Sequence, residues 1–192
     1  MFTSERRDIL ATLFSFHHSI EVLSFNSFSR EVVALDATAA MLTEAKAKSK
    51  EEGFSNIKFV HGDATSLPFP DSSFGLVTSR LAIHHFTKPR PILEEMARVA
   101  TPGGRVVIVD LVASEDQEQV RSVNNLRTVQ AEMHNRLERL RDPSHTNALS
   151  IDDLATLMGQ AGLILQGKVS NSLSNNVPND ISGGNLACGH GP

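Results

Sequence analysis

The chain contains only one cysteine, Cys188, among its 192 residues. A lone thiol cannot close a disulfide within the chain, and it has no second cysteine with which to hold a metal cluster. The eight histidines do not compensate, because none forms an HxxxH pair backed by carboxylates on a common face. The sequence therefore predicts no metal site and favours a reducing compartment, which we take to be the cytoplasm.

Long apolar runs and an excess of basic residues are also missing. The longest apolar stretches, such as VVIVDLVA, are too short to cross a bilayer and fit buried strands better. The formal net charge is −4 at pH 7, so we expect no basic surface of the kind that attracts a phosphate backbone. The sequence thus predicts neither a membrane nor a nucleic acid as a partner.

Glycine does not occur before Gly53. Dinucleotide-binding α/β folds carry a glycine-rich turn after their first strand, where the backbone approaches the pyrophosphate. A nicotinamide-dependent oxidoreductase would need those glycines, so their absence argues against this class of enzyme.

Strand and helix patterns alternate along the first 112 residues. Short apolar runs predict the strands, and apolar residues at spacings of three and four predict the helices. In chain order, the pattern predicts a helix at 4–17, a strand at 19–25, a strand at 32–35, a helix at 38–52, a strand at 57–60, a strand at 74–79, a helix at 91–100, a turn at 101–104 and a strand at 105–112. Such alternation is typical of an α/β fold with a mostly parallel sheet and helices on both faces.

The second half of the chain is less regular. Residues 114–141 predict a long amphipathic helix, and Ser150-Ile-Asp-Asp153 resembles a capping box that opens a further helix. From Ser170 onward Asn, Ser, Gly and Pro dominate, which predicts disorder. The predicted organisation is an atypical N-terminal segment at 1–30, one domain at 31–169 and a disordered tail at 170–192.

Two acidic residues follow successive predicted strands. Asp36 ends the run VVALD, and Asp63 follows IKFVHG, with the amphipathic helix between them. A carboxylate at the carboxyl end of a parallel strand can accept hydrogen bonds from ribose hydroxyls, and a second one on the next strand can reach the adenine edge. Either acid could also be only a turn former or a helix cap.

Several short motifs occur in a fixed order between residues 31 and 112. They are DATAAML at 36–42, GDA at 62–64, LPF at 67–69, SFGLV at 73–77, SRLAIHHF at 79–86 and PGGRVVI at 102–108. Together they resemble the class I S-adenosylmethionine-dependent methyltransferases, in particular the group that includes the ubiquinone and menaquinone C-methyltransferases. Gly75 departs from the pattern, because that family usually has Asp there.

The resemblance implies a Rossmann-like, mostly parallel sheet, S-adenosyl-L-methionine as cofactor and a small-molecule methyl acceptor. Carried over residue by residue, it assigns cofactor binding to the following positions: Asp36, Ala37, Met41, Asp63, Ala64 and Leu81. Met41 could equally be a core residue, since it lies on the apolar side of its predicted helix.

The resemblance also implies features that this sequence lacks. The family carries a glycine-rich DxGxGxG loop roughly 20 residues before its ribose acid, by analogy with other nucleotide folds. We therefore expect a truncated chain whose sheet is incomplete, with the first and last strands missing or altered. A non-catalytic remnant of the fold, or an interaction protein, is the alternative to an active enzyme.

Four histidines are candidates for acid–base chemistry or for lining a substrate pocket. His84 and His85 could supply a general base, since the unperturbed pKa of imidazole lies near neutrality. A histidine pair at the start of a loop is as easily a capping or packing feature. His134 and His145 could line a pocket under the long helix.

Overall fold

The computed structural model describes residues 9–13, 30–112, 135–136, 139–140, 145–146, 148–171 and 183–190. Seven strands lie within these ranges: β1 Ile9–Leu13, β2 Val32–Asp36, β3 Ile57–His61, β4 Phe74–Arg80, β5 Ala100–Leu111, β6 Leu163–Asn171 and β7 Gly183–His190. The structure bounds the α-helices α1 Ala39–Glu51, α2 Arg90–Val99 and α3 Ile151–Gln160, and a 3-10 helix spans Ile83–His85. Residues 135–136 and 139–140 are also helical.

The strands form one sheet in the order β3-β2-β1-β4-β5-β7-β6. The first five strands pair in parallel, whereas β7 runs antiparallel to both β5 and β6. Chain order reverses direction at β1, which has β2 on one side and β4 on the other. In open α/β sheets, ligands bind beyond the carboxyl ends of the strands at such a switch point. The α/β, mostly parallel architecture predicted from the sequence is confirmed.

The central strand β1 comes from the segment for which the sequence predicts a helix. The helix prediction over residues 4–17 is wrong for Ile9–Leu13, which pairs with Val32–Leu35 on one side and with Leu76–Arg80 on the other. A strand between two parallel neighbours satisfies its backbone groups on both sides, and this pairing overrides a local helical pattern. The sheet therefore has a central strand, although its sequence is atypical. The strand predicted at 19–25 lies outside the described residues.

The last two strands correct the expectation about the C-terminal segment. Residues 183–190 form β7, so the prediction of disorder from Ser170 is wrong there. The prediction relied on the lack of apolar side chains, but β7 lies between β5 and β6 and exchanges backbone hydrogen bonds with both. The strands expected to be missing or altered are thus present as an antiparallel pair.

The main apolar core lies between the sheet and the helices α2 and α3. Helix α2 contributes Ile92, Leu93, Met96 and Ala97 to this core, and α3 contributes Leu154 and Met158. Strand β5 begins at Ala100, earlier than predicted, because it continues through the expected turn at 101–104 with Gly103 at a φ of 72°. Most of the long helix predicted at 114–141 lies outside the described residues. Within the described part, no helix combines the length and apolarity that spanning a membrane requires.

Candidate active site at the carboxyl edge of the sheet

Asp36 is the last residue of β2, and its carboxylate is almost completely buried, with 1% of the residue exposed. Its Oδ1 accepts a hydrogen bond of 2.6 Å from the backbone N–H of Thr38. Its Oδ2 is buried without a hydrogen-bond partner. Burial raises the pKa of Asp36 above its ordinary value, and the hydrogen bonds from Thr38 oppose this shift. A buried acceptor without a donor costs about 1–3 kcal/mol. A hydrogen bond from a ligand hydroxyl to this oxygen would therefore be favourable.

Asp63 follows β3 in the adjacent loop, and its side chain is exposed. Its Oδ1 accepts a hydrogen bond of 2.8 Å from the N–H of Thr65. The loop is tied to the end of β2, because the N–H of Gly62 donates to the carbonyl of Asp36 at 3.1 Å. Both acids therefore lie at the same edge of the sheet, after neighbouring parallel strands.

The other residues assigned from the resemblance differ in exposure. Ala37 is exposed, and its carbonyl accepts a hydrogen bond of 2.9 Å from His61 Nε2. Met41 is half-buried in the first turn of α1, whereas Ala64 is 2% exposed and belongs to the apolar core. Asp63 thus presents its carboxylate to solvent, and Ala64 packs into the core beneath the same loop.

Leu81 follows β4 with a left-handed backbone, at a φ of 48°. This conformation is strained for a leucine, and it is held by a hydrogen bond of 2.7 Å from the Leu81 N–H to the carbonyl of Val109 on β5. The turn redirects the chain from β4 into the short helix Ile83–His85. Strained non-glycine residues cluster at functional sites, and this one lies beside the switch point of the sheet.

His84 is buried beside Asp110, near the end of β5. Its ring Nδ1 donates a hydrogen bond to Asp110 Oδ1. The same carboxylate accepts hydrogen bonds from the N–H of Ile83 at 2.6 Å and from that of Leu111 at 2.7 Å. His84 and Asp110 are 6% and 2% exposed, so the pair forms a buried, hydrogen-bonded connection between the ends of β4 and β5.

Two more histidines pack against His84. The ring centroids of His84 and His85 are 4.1 Å apart, and those of His84 and His145 are 5.2 Å apart. His145 Nε2 donates to Asn135 Oδ1 at 2.8 Å, and the N–H of Ala148 donates to the same oxygen at 2.7 Å. His145 thus lies beside His84, and its role in lining a substrate pocket stays a prediction. His134 lies outside the described residues.

Sequence reasoning missed Asp110. The signal was present, because Asp110 ends the apolar run VVIVD in the same way that Asp36 ends VVALD. Asn135 was missed as well, and no local pattern marks it, since its contact with His145 depends on the tertiary fold. The pairing of β4 with β5 brings Asp110 to His84 across 26 residues of sequence.

An ion-pair cluster behind the site holds the loop that carries Asp63. Arg98 on α2 donates to Glu95 from Nε and Nη2 at 2.7 Å each, to the carbonyls of Leu67 and Phe69 at 3.0 and 2.8 Å, and to Asp71 at 2.8 Å. Glu95 Oε2 also accepts from the N–H of Leu67 at 2.7 Å. The Arg98 guanidinium lowers the pKa of Glu95 below its ordinary value. The LPF segment is therefore fastened to α2 at several points.

Metal-binding residues do not converge in the part of the chain that the structure describes. Within these residues, no group of three or more His, Cys, Asp or Glu side chains could hold a metal ion. The described edge includes the carboxylates Asp36, Asp63 and Asp110 and the imidazoles of His84 and His85.

Comparison with known proteins agrees with this arrangement. The family model described as "Methyltransferase domain" matches residues 8–108. The uncharacterized methyltransferase YcgJ of Bacillus subtilis is 38% identical over 144 residues, which are 75% of this chain and 53% of the relative. A demethylmenaquinone methyltransferase of Anoxybacillus flavithermus is 44% identical over 82 residues, which are 43% of this chain and 35% of the relative.

A solved structure is also similar. The crystal structure of YcgJ superposes with a TM-score of 0.79 at 26% identity and covers 97% of this chain and 93% of that chain. In the sequence comparisons, by contrast, the matched segment spans only about half of YcgJ and about a third of the demethylmenaquinone methyltransferase. This chain shares its fold and its family with these proteins. Their names do not assign their activities to this chain.

Proposed function

Because the chain belongs to the class I S-adenosylmethionine-dependent methyltransferases, we propose that the carboxyl edge of its sheet binds S-adenosyl-L-methionine and that it methylates a small molecule. The relative named as a demethylmenaquinone methyltransferase supports a small-molecule acceptor. The proposed location is the cytoplasm, which the single cysteine supports.

The buried, unpartnered Oδ2 of Asp36 carries the proposal. An ionised carboxylate accepts hydrogen bonds only, and Oδ1 already has its donor in the N–H of Thr38. A ribose hydroxyl supplies the missing donor, and such hydrogen bonds to a charged group contribute about 1.5–3 kcal/mol. The residues on the nucleoside side of the site therefore fit the cofactor.

Asp63 is the proposed partner of the adenine amino group. It lies one strand further along the sheet than Asp36, its side chain is exposed, and its Oδ1 is oriented by Thr65. Ala37 and Met41 would line the nucleoside, and Leu81 would border the sulfonium end of the cofactor. Ala64 would act from the core, by supporting the backbone next to Asp63.

When bound, the cofactor supplies an electrophilic methyl group. The protein's contribution is then to hold the acceptor atom in line with that group and to exclude water, so that positioning supplies most of the rate. The strained turn at Leu81 and the helix Ile83–His85 lie beside the switch point, where the acceptor would approach.

The alternative is a non-catalytic member of the family that has lost part of its cofactor site. The observation that favours it is the absence of glycine before Gly53, because in the family the glycine-rich loop binds the methionine end of the cofactor. Losing about three neutral hydrogen bonds, each contributing about 0.5–1.5 kcal/mol, would weaken binding roughly tenfold to a thousandfold or more.

Titration calorimetry with S-adenosylhomocysteine tests the proposal. We expect binding of micromolar strength to the wild-type chain, and a loss of about tenfold to a hundredfold in Asp36→Ala because the ribose acceptor is removed. Glu51→Gln is the matched control, since it removes an exposed carboxylate at the far end of α1. Undetectable binding to the wild type would support the non-catalytic alternative, and equal affinities of the wild type and Asp36→Ala would exclude the proposed ribose contact.

A further inference from the structure

The cofactor contacts proposed above do not use the cluster of Asp110, His84 and the neighbouring imidazoles. We propose that His84 is the catalytic base of this site, that Asp110 is its positioning residue, and that the methyl acceptor therefore carries an ionisable O–H or C–H. This inference rests on the proposed function, and it adds the chemical class of the acceptor.

The hydrogen bond from His84 Nδ1 to Asp110 determines which ring nitrogen carries the proton. An ionised carboxylate only accepts, so Nδ1 must donate, and a neutral His84 then has a bare Nε2. No described residue forms a hydrogen bond with this Nε2. The nitrogen that can accept a proton is therefore left for a ligand, which is the arrangement by which an acidic residue orients a catalytic imidazole.

The carboxylate of Asp110 is held in place by more than the imidazole. The backbone N–H groups of Ile83 and Leu111 donate to its two oxygens at 2.6 and 2.7 Å. Three donors hold the carboxyl group in this orientation. Asp110 can thus stabilise the positive charge that His84 acquires when it takes a proton.

Neighbouring residues also restrict the ring and the backbone of His84. The ring packs against His85 and His145 at centroid distances of 4.1 and 5.2 Å. The carbonyl of His84 accepts hydrogen bonds from the N–H and the hydroxyl of Thr146, at 3.0 and 2.8 Å. A ring held in this way cannot turn over to exchange Nδ1 for Nε2, so its orientation is set before any substrate arrives.

His84 Nε2 takes the proton of the acceptor's O–H or C–H, and the electron pair left on the acceptor forms the new bond to the methyl carbon. The carbon–sulfur bond of S-adenosylmethionine breaks, its electron pair stays on sulfur, and the thioether S-adenosylhomocysteine leaves. The proton on His84 then passes to solvent. An acceptor that already has a free lone pair, such as a neutral amine, would need no such base.

Nitrogen-15 NMR of the imidazoles in the ligand-free protein tests the arrangement without requiring activity. We expect the neutral form of His84 to be protonated at Nδ1 in the wild type. In Asp110→Asn the amide can donate to Nδ1, so we expect the proton to move to Nε2. Asp152→Asn, an exposed change on α3, should leave the spectrum of His84 unaltered. Protonation of His84 at Nε2 in the wild type would overturn the proposal, because no bare nitrogen would then face the acceptor.

Turnover assays test the acceptor class, with phenols and 1,3-dicarbonyl compounds compared with primary amines and thiols. We expect only the O–H and C–H acids to be methylated, and His84→Asn and Asp110→Asn to lower kcat about a hundredfold or more while leaving S-adenosylhomocysteine affinity within about twofold. Turnover of amines or thiols alone, or of no compound despite S-adenosylhomocysteine binding, would overturn the acceptor class. Failure of the wild type to bind S-adenosylhomocysteine would instead count against the proposed function, and the NMR result would still decide the role of Asp110.

The pH dependence of kcat distinguishes a catalytic role of His84 from a structural one. For the wild type we expect kcat to rise with pH as His84 loses its proton, and we expect this rise to be absent in His84→Asn. The titratable groups that face His84 among the described residues are Asp110 on β5, His85 on the same short helix and His145 before α3. A rise that persists in His84→Asn and disappears in His85→Asn would assign the base to His85 and contradict the proposal.

Discussion

At the scale of single residues, the described edge of the sheet contrasts two buried carboxylates. Asp110 has a donor for each oxygen and a histidine partner, whereas Asp36 keeps one oxygen without a partner. Stability alone would favour the first arrangement, because an unsatisfied buried acceptor is destabilising. The unpartnered oxygen of Asp36 is the feature for which we propose a ligand contact.

The raised pKa of Asp36 predicts how its contribution to stability depends on pH. Between the ordinary aspartate value of 3.8 and the raised folded value, the native state holds a proton that the unfolded state has lost. The stability contributed by this group is therefore greatest at low pH and falls as the pH rises through that window. We expect Asp36→Asn to remove this term, so that the variant gains stability relative to the wild type as the pH increases.

Urea unfolding of both proteins at a series of pH values between about 3.5 and 7.5 measures this difference. The difference in free energy of unfolding should change in favour of Asp36→Asn as the pH rises, and then become constant. A difference that does not vary with pH would show that Asp36 titrates as in the unfolded chain. Glu51→Gln again serves as the control for the loss of one carboxylate.

At the scale of elements, helix α2 positions the loop of Asp63 by electrostatics as well as by packing. Glu95 and Arg98 are half-buried on this helix, and their hydrogen bonds are directed to the backbone of the LPF segment and not only to each other. Their side chains are 19% and 31% exposed, so solvent screens the pair less than it screens a typical surface ion pair.

Glu95→Gln should destabilise the chain by about 1–2 kcal/mol, because it removes the charged acceptor shared by Arg98 and the N–H of Leu67. Since the folded pKa of Glu95 is lowered, its contribution is present above the ordinary glutamate value of 4.5 and is lost as the pH falls through the folded pKa. Chemical denaturation at neutral and acidic pH measures both effects.

The adjacent Glu94 provides a matched control on the same helix. It pairs with Arg90 at 2.8 Å, but the two side chains are 47% and 58% exposed. Glu94→Gln should therefore change the stability by less than about 0.5 kcal/mol. Equal effects of the two substitutions would mean that the contacts of Glu95 with the LPF segment contribute nothing to stability.

At the scale of the whole molecule, the sheet is completed by segments from both ends of the chain. Strand β1 joins β2 to β4, and β7 joins β5 to β6. Neither segment would be a stable strand by itself, because each depends on two neighbours for its backbone hydrogen bonds. The fold is therefore cooperative between parts of the chain that are distant in sequence.

Deleting residues 172–192 tests this cooperativity. Without β7, strand β6 loses its neighbour in the sheet, and β5 exposes an unpaired edge. We expect the shortened chain to lose amide hydrogen-exchange protection in β5 and β6 and to unfold at a lower temperature. Removing residues 191–192 alone should preserve both properties. Unchanged protection of β5 and β6 in the longer deletion would contradict the pairing with β7.

The sequence by itself determined the strands β2, β3 and β4 and the helices α1, α2 and α3. In these elements the apolar periodicity and the turn residues are local signals, and packing reinforces them. The positions of Asp36 and Asp63 after strands were predictable for the same reason, since Asp36 directly follows one apolar run and Asp63 follows the next after His61 and Gly62.

Only the tertiary structure showed that β1 and β7 are strands and that Asp110 contacts His84. The residues 9–13 and 183–190 adopt strands because neighbouring strands offer backbone donors and acceptors, and this interaction leaves no periodic signal in the segment itself. Asp110 and His84 meet because β4 and β5 are paired in parallel. Contacts of this kind depend on which elements become neighbours, and local sequence cannot specify them.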